Sequence, residues 1–266
     1  MANPDETPSS LPLPDPARAG VPAATLIVFA DHAGEGPAPI LVVQRSEAMR
    51  FAPGAVVFPG GQVDPDDVRL GRALLPDLDP AESGARVAAI RETLEETGLG
   101  VGFVASASQT TAIRVGLAGG EGFAALLDEY GLTLDLEVLV PFARWNPRFA
   151  DHKSFDTRFY VTQHSHGDRS VTPDGTENVA AWWATAAEVL DDVESGRRNA
   201  IFPTHRNLER LSTLAGFVEA AEQAAAIGVS TVTPWIETSG QRKWLCIPND
   251  AGYPITKVGL DDVPRN

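Results

Sequence analysis

The chain has 266 residues, a formal net charge of −15 at pH 7 and 43% hydrophobic residues, which is the composition of a soluble globular protein. No apolar run reaches the roughly 18 residues of a membrane span, and the negative charge argues against nucleic acid, whose binding needs Lys and Arg. The single cysteine, Cys246, excludes an internal disulfide. A small anionic ligand remains compatible with this charge if the chain offers a local basic patch or a divalent cation.

The N-terminal segment predicts no packed structure. Residues 1–22 are rich in Pro, Ser and Asp and lack a periodic apolar pattern, so we expect a disordered tail. The first residues also lack the positive and apolar regions of a signal peptide. We therefore expect a cytoplasmic protein.

Strands and helices are predicted in alternation along the rest of the chain. The predicted strands cover residues 24–30, 39–44, 55–58, 132–145, 155–163, 179–184, 231–237 and 243–247, and the first two are joined by a hairpin-like connection. The predicted helices cover 80–97 and 123–130, about ten residues after Thr185, and one or two segments within 202–226. Strands interspersed with helices indicate an α/β or α+β fold with a mixed sheet.

The helix at 80–97 has the clearest end signals. Asp79 is a good N-cap residue, Pro80 suits the first helical position, and Glu82 stands where a capping box needs it. Gly98 suits the C-terminal stop.

The same helix carries a cluster of three glutamates. Glu92, Glu95 and Glu96 are spaced i, i+3, i+4, which places their carboxylates on one face. They lie near the negative end of the helix dipole, where each costs about 0.3–1 kcal/mol. A divalent cation such as Mg²⁺ would remove this conflict, and Arg91 could orient Glu95 by a charge-assisted hydrogen bond. The alternative is a solvated acidic face.

The segment from Arg91 to Leu99 resembles the second half of the Nudix signature, G-x5-E-x7-R-E-U-x-E-E-x-G-U, where U is aliphatic. Gly61 matches its opening glycine. The resemblance implies a Nudix-type α/β/α sandwich that hydrolyses a diphosphate linking a nucleoside to a second group. It also implies Mg²⁺ or Mn²⁺ as the cofactor. Its metal ligands would be Gly61, Glu92, Glu95 and Glu96, and its catalytic residues would include Arg91, Glu92 and Glu95.

Two departures from the signature are visible. Thr93 stands where an aliphatic residue is preferred, and residues are inserted around Val68 to Asp79, which we expect to form a loop. The insertion leaves the acidic residue of the first half ambiguous, because Asp67 fits when counted from Gly61 and Glu82 fits roughly when counted back from Arg91.

The residues that precede Gly61 narrow the expected substrate. They resemble the extra motif of CoA-pyrophosphatase Nudix proteins, L-L-T-x-R-[SA]-x3-R-x3-G-x3-F-P-G-G, although Val42 and Val43 replace the Leu and Thr. The matching residues are Arg45, Ser46, Arg50, Gly54, Phe58, Pro59, Gly60 and Gly61. The resemblance implies that Arg45, Arg50 and Phe58 bind CoA or acyl-CoA. The alternative for both arginines is ordinary surface ion pairing.

Other candidates lie further along the chain. Arg158, in a segment that mixes aromatic and basic residues, could line an adenine or phosphate pocket, or belong to core aromatics with surface charge. Glu177 is a candidate general base, with Glu92 as the other option and a plain loop glutamate as the alternative. His164 and His166 lack further partners at zinc spacing.

Three hypotheses for function remain open. The first is hydrolysis of the diphosphate of CoA or acyl-CoA. Its products would be 3′,5′-ADP and 4′-phosphopantetheine, acylated or free. The alternatives are another nucleoside diphosphate derivative, such as NADH, ADP-ribose or a nucleotide sugar, and a Nudix-fold binding module without catalysis. We expect a Nudix domain over 23–200 and a helical and hairpin extension over 201–266 packed on it. The expected partner is a small anionic nucleotide that resembles CoA. We expect no binding to nucleic acid or to a membrane, and a homodimer is compatible with the sequence.

Overall fold

The computed structural model describes residues 20–32, 34–147, 154–164 and 169–263. Most of the expected N-terminal tail, residues 1–19, lies outside these ranges. Val21 and Pro22 do not belong to a tail, because they begin the first strand and pair with Phe155 and Asp156. Within the described ranges, every helix is too short or too polar to span a bilayer.

Most of the predicted elements are confirmed, with shifted bounds. The strands are β1 (Val21–Ala30), β2 (Ile40–Arg45), β3 (Val56–Val57), β4 (Gly60–Gln62), β5 (Val140–Trp145), β6 (Phe155–His164), β7 (Asn178–Ala184), β8 (Thr231–Val232), β9 (Trp235–Ser239), β10 (Arg242–Cys246) and β11 (Lys257–Gly259). The helices are α1 (Pro65–Leu74), α2 (Pro80–Thr97), α3 (Ala107–Ala118), α4 (Phe123–Glu129), α5 (Ala186–Glu194), α6 (Phe202–Leu211) and α7 (Phe217–Ile227).

The main sheet is mixed, as predicted. Its strand order is β3-β2-β1-β6-β5-β8, with β4 also paired to β1 and β7 to β2. The central pair, β1 and β6, is parallel over ten residues, β5 and β6 are antiparallel, and β8 is parallel to β5. A second, antiparallel sheet consists of β9, β10 and β11.

Helices cover both faces of the main sheet. On β1, Ile27 and Phe29 point into a core that includes residues of α5, α6 and α7, whereas Leu26 and Val28 point into a core shared with α2, α3 and α4. Such alternation is the two-residue period of a strand buried on both faces. The architecture is therefore the α/β/α sandwich that the sequence predicts. Tyr253, near the C-terminus, also contributes to the core beneath α6.

The insertion before α2 is a helix rather than the expected loop. Asp64 is the N-cap residue of α1, and its backbone N–H donates to the carboxylate of Asp67, as in a capping box. This helix packs closely on α2, because a Cβ at Gly71 would lie 2.5 Å from the carbonyl carbon of Ser83. The Asp-Pro-x-Asp pattern at 64–67 is the sequence signal that could have predicted the start of this helix.

Three further details differ from the sequence predictions. The strand expected from residue 132 begins only at Val140, where pairing with β6 starts. The helix α3 was not predicted. Glu82 is not used in a capping box, because its carboxylate pairs with Arg86 at 3.2 Å and with Arg158 at 3.1 Å. Asp79 does cap α2, accepting from the N–H groups of Ala81 and Glu82.

Candidate active site

The last turns of α2 place the glutamates beside β4, the short strand that pairs with β1. The helix ends at Gly98, whose φ of 72° is left-handed and whose N–H donates to the carbonyl of Leu94. Thr93, the departure from the aliphatic pattern, is fully buried, and its hydroxyl donates to the carbonyl of Ala89 at 2.7 Å. The hydroxyl is therefore satisfied locally, so threonine is tolerated at this core-facing position.

Arg91 lies at the centre of the acidic cluster. One amino nitrogen, Nη1, donates to Glu92 at 2.8 Å and to Glu95 at 3.0 Å. The other, Nη2, donates to the carbonyl of Gln62 on β4 at 3.1 Å. Arg91 thus orients Glu95, as predicted, and also ties the helix to the strand that follows Gly61.

The remaining donors of Arg91 resolve the ambiguity in the first half of the signature. Its Nε and Nη2 donate to the two carboxylate oxygens of Asp67 at 2.9 and 2.8 Å. Burial would lower the pKa of Arg91, but the bonds and charges of Asp67, Glu92 and Glu95 raise it above its ordinary value. Asp67, and not Glu82, therefore binds the arginine. Asp67 is also the residue that fits the acidic position of the signature when the spacing is counted from Gly61.

Glycines bring the backbone of β4 against the helix. The N–H of Gly60 donates to Oε2 of Glu96 at 3.0 Å. A Cβ at Gly61 would collide with the carboxylate of Glu92, so this position leaves room for that side chain only as glycine. Gly61, Glu92 and Glu96 therefore meet as the resemblance implies, through the pairing of β4 with β1.

The cluster has the donor set and the electrostatics of a divalent-cation site. Burial raises the pKa of Glu92 to about 7, although Arg91 opposes the shift. Burial and the charge of Glu92 raise the pKa of Glu96 to about 8 against bonds from Asn178 and Gly60. Buried carboxylates of this kind need a compensating cation, and an oxygen-only donor set suits a hard ion such as Mg²⁺.

The loop before β7 reaches the same cluster from another part of the chain. Asn178 donates a side-chain bond to Glu96 and another to Asp174 at 3.1 Å. The adjacent Glu177 is exposed, and its carboxylate lies 3.8 Å from the guanidinium of Arg45. Arg45 itself is nearly buried, donates through Nε to the carbonyl of Phe51 at 3.2 Å, and acts electrostatically on Glu96. Arg45 and Glu177 therefore border the glutamates.

A second arginine fixes the end of the glutamate helix. Nε of Arg114, on α3, donates to the carbonyl of Glu95 at 2.9 Å, and Nη2 donates to the carbonyl of Thr172 at 2.8 Å. Arg114 thus joins α2 to the segment that leads to Asp174. Neither Arg114 nor Asn178 was found from the sequence, because their partners are distant in the chain and no spacing signals them.

Other sequence candidates lie elsewhere. Phe58 is 3% exposed and packs in the core shared with α5 to α7. Arg158 pairs with Glu82 near the start of α2. It lies on β6, and β1 separates it from Gly61 on β4, because Ala24 of β1 pairs with both residues. Arg50 is exposed.

Of the two histidines near the predicted turn, one lies in the part of the chain that the structure describes. His164 stacks on Trp183 with ring centroids 6.4 Å apart. His166 lies outside the described residues.

Comparison with known proteins finds matches to one family. A family model of the NUDIX domain matches residues 20–114, which include Gly61 and all of α2. The structure of a NUDIX hydrolase from Alicyclobacillus acidocaldarius is 30% identical with a TM-score of 0.65, and the match covers 80% of this chain and 98% of that one.

Two more distant structures are also similar. The NUDIX domain of Shewanella oneidensis NrtR, solved with ADP ribose, is 15% identical with a TM-score of 0.41 over 73% of this chain and 89% of that one. A MutT protein from Methanosarcina mazei Go1 is 14% identical with a TM-score of 0.42 over 75% and 97%.

Proposed function

This chain belongs to the Nudix hydrolase family, whose members act on diphosphate bonds, and on that premise we propose that it cleaves the diphosphate of CoA or acyl-CoA. The products are 3′,5′-ADP and 4′-phosphopantetheine, acylated or free. One observation carries the proposal: Arg45, from the CoA-type motif, lies near enough to the glutamate cluster for its charge to oppose the rise in the pKa of Glu96, and its guanidinium is 3.8 Å from the carboxylate of Glu177.

The glutamate cluster is the proposed site of the metal. Glu92, Glu95, Glu96 and the carbonyl of Gly61 hold Mg²⁺ or Mn²⁺, and Arg91 keeps two of the carboxylates in position. When bound, the cation supplies Lewis-acid polarisation of the phosphoryl oxygens. Asp67 acts through Arg91 and is a positioning residue.

The two arginines of the upstream motif are the proposed phosphate contacts. Arg45 borders Glu96, and its guanidinium retains donors beyond the one given to Phe51. Arg50 is exposed, and it precedes Phe51, whose carbonyl accepts the hydrogen bond from Nε of Arg45. Guanidinium groups suit phosphates through paired hydrogen bonds, and CoA carries a 3′-phosphate besides its diphosphate. Phe58 acts by supporting the turn into Gly60 from the core, and Arg158, which is committed to Glu82, is left out of the phosphate site.

Glu177 is the proposed base that accepts the proton of the attacking water. Its loop is fixed on the cluster, because Asp174 accepts from the N–H groups of Thr176 and Glu177 and bonds to Asn178, which in turn donates to Glu96. Its carboxylate is 59% exposed, so a water molecule can approach it. Glu92, by contrast, is only 18% exposed and is held by Arg91.

The extension after residue 200 belongs to the same proposed domain. The strand β8 lies beside β5, and α6 and α7 pack on the core beneath the sheet. We therefore treat 23–200 and 201–266 as one folding unit with the site between α2 and β4.

The proposal is tested by turnover of CoA, acyl-CoA, NADH and ADP-ribose with Mg²⁺ or Mn²⁺, followed by chromatography. We expect CoA or acyl-CoA to give 3′,5′-ADP, and Arg45→Met to raise the KM for CoA more than that for ADP-ribose. Turnover of NADH or ADP-ribose with CoA untouched would remove the CoA assignment.

Variants of the acidic residues separate their roles. Glu95→Gln should abolish metal-dependent turnover. Glu177→Gln should lower kcat by about 10²–10⁴-fold while metal binding persists. Equal activity of Glu177→Gln and wild type would remove Glu177 as the base.

A further inference from the structure

A second cluster of metal-ligating side chains lies on the opposite face of the sheet from α2. It consists of Glu194 at the end of α5 and of His205 and Glu209, one turn apart on α6. These helices belong to the core that faces away from the glutamate helix, so the two clusters are separated by the sheet.

The three side chains converge on one point. Nε2 of His205 lies 4.0 Å from a carboxylate oxygen of Glu194 and 3.7 Å from one of Glu209, and one ligand atom from each residue falls within 4.8 Å of the others. Ligands bound tetrahedrally at about 2.1 Å from zinc stand about 3.4 Å apart, so only small side-chain shifts are needed.

The cluster also leaves buried polar atoms without partners. Nε2 of His205 and Oε2 of Glu209 are both inaccessible and neither has a hydrogen-bond partner. The Glu209 side chain is only 6% exposed. Buried polar atoms in native proteins are almost always satisfied, and an unsatisfied pair facing a carboxylate indicates a missing ligand.

We propose that Glu194, His205 and Glu209 bind one divalent transition-metal ion, such as Zn²⁺, that ties α5 to α6. One imidazole nitrogen and two carboxylates favour zinc over Mg²⁺ or Ca²⁺, which prefer oxygen alone. Three protein ligands leave a fourth position for water. The site is independent of the proposed diphosphatase activity.

The surrounding charges are compatible with this ion. Arg206 is the cation in contact with the cluster, and its Nη2 donates to Oε1 of Glu209 at 2.6 Å, which orients the carboxylate and leaves Oε2 unused. Metal binding at Nε2 requires the His205 tautomer with its proton on Nδ1. This tautomer ends the 3.5 Å contact between Nδ1 and Arg206, while the shorter bond to Glu209 is kept.

The test is zinc binding by the full-length protein, stripped of metal with a chelator and titrated in saturating Mg²⁺ by calorimetry. We expect one zinc per wild-type chain. Loss of a residue that only orients a ligand costs roughly 10–100-fold in metal affinity, so His205→Ala should cost at least about 100-fold. Glu194 is exposed, so Glu194→Gln should keep the fold and still weaken binding.

Two controls locate the zinc. His32→Ala removes an exposed histidine that is not a member of the cluster and should bind zinc as wild type does. Glu95→Gln, which damages the first site, should also retain it. Absence of zinc binding by wild type, its loss in Glu95→Gln, or wild-type affinity in Glu194→Gln would each overturn the proposal.

Discussion

Asp67 accepts hydrogen bonds from Arg91 on both carboxylate oxygens, from Nε at 2.9 Å and from Nη2 at 2.8 Å, although the two residues belong to different helices. Asp67 is 2% exposed and Arg91 is 8% exposed, so water does little to screen the pair. The pair connects α1 to the helix that carries the glutamates. The arrangement of the metal ligands therefore depends on a residue that binds neither metal nor substrate in our proposal.

Removal of Asp67 should damage both stability and activity. Breaking a buried pair by deleting one partner costs about 3–5 kcal/mol, because the other charge stays buried. We expect Asp67→Ala to lose that much free energy of unfolding in urea and to bind Mg²⁺ more weakly. The matched control is Asp66→Ala, which breaks only an exposed pair with Arg69 and should cost less than about 1 kcal/mol. Equal losses in both variants would contradict this account.

The two glycines of β4 should respond differently to alanine. At Gly61, the three atoms nearest to the new methyl group all belong to the carboxylate of Glu92, which can move aside. At Gly60, it meets the backbone carbonyl of Ala24, which the strand holds in place. We expect Gly61→Ala to keep its melting temperature and lose metal affinity, and Gly60→Ala to lose at least about 1–3 kcal/mol of stability. The reverse ranking in thermal unfolding would refute the steric argument.

Stabilisation by the metal should increase with pH. Because the folded pKa values of Glu92 and Glu96, about 7 and 8, exceed their ordinary value of 4.5, the folded protein binds these protons more tightly than the unfolded chain. Their contribution to metal-free stability is thus present below about pH 4.5 and lost as pH rises through 7 and 8. A bound cation keeps both carboxylates charged, so its affinity should rise up to about tenfold per pH unit for each proton displaced.

Thermal unfolding with and without Mg²⁺ between pH 5.5 and 8.5 measures this effect. The shift in Tm produced by Mg²⁺ should be small at the acidic end and largest at the alkaline end. Glu96→Gln, which removes the group with the higher pKa, should flatten the dependence. A Mg²⁺ shift independent of pH in the wild type would contradict the prediction.

A buried hydrogen-bond chain should couple the C-terminal segment to the sheet. Nε1 of Trp145 donates to the hydroxyl of Tyr253 at 2.7 Å, and that hydroxyl donates to Asn207 at 3.0 Å. Tyr253→Phe leaves the indole N–H buried without an acceptor, which costs about 1–3 kcal/mol. Chemical denaturation should report this loss, and Tyr130→Phe, on the other face, should be near neutral.

The glutamate helix was predictable because its signals are local. Asp79, Pro80 and Gly98 set its bounds from neighbouring backbone groups, and the structure has it over Pro80–Thr97 as predicted. The partner of Arg91 was not predictable, because the signature spacing is interrupted by α1 and two acidic residues fit. Only the packing of α1 on α2 selects Asp67.

The contributions of β7 and α3 were beyond sequence reasoning for a different reason. Asn178 reaches Glu96 because β7 pairs with β2, and Arg114 reaches Glu95 because α3 folds back on α2. Such contacts depend on sheet order and helix packing. Neither follows from a local pattern in a single chain.

The parallel pairing of β1 with β6 has a consequence for how the protein forms. Val21 pairs with Phe155 and Ala30 with His164, so the central ladder closes only after most of the chain is available. Contacts of such long sequence separation slow folding, and until they form β1 exposes an apolar edge that can pair with another molecule. A fragment that ends at residue 114 keeps the glutamate helix, β2 and β4 but lacks β6, the parallel partner of β1. We expect it to aggregate when expressed, and during synthesis of the full chain the same edge is the segment most in need of a chaperone.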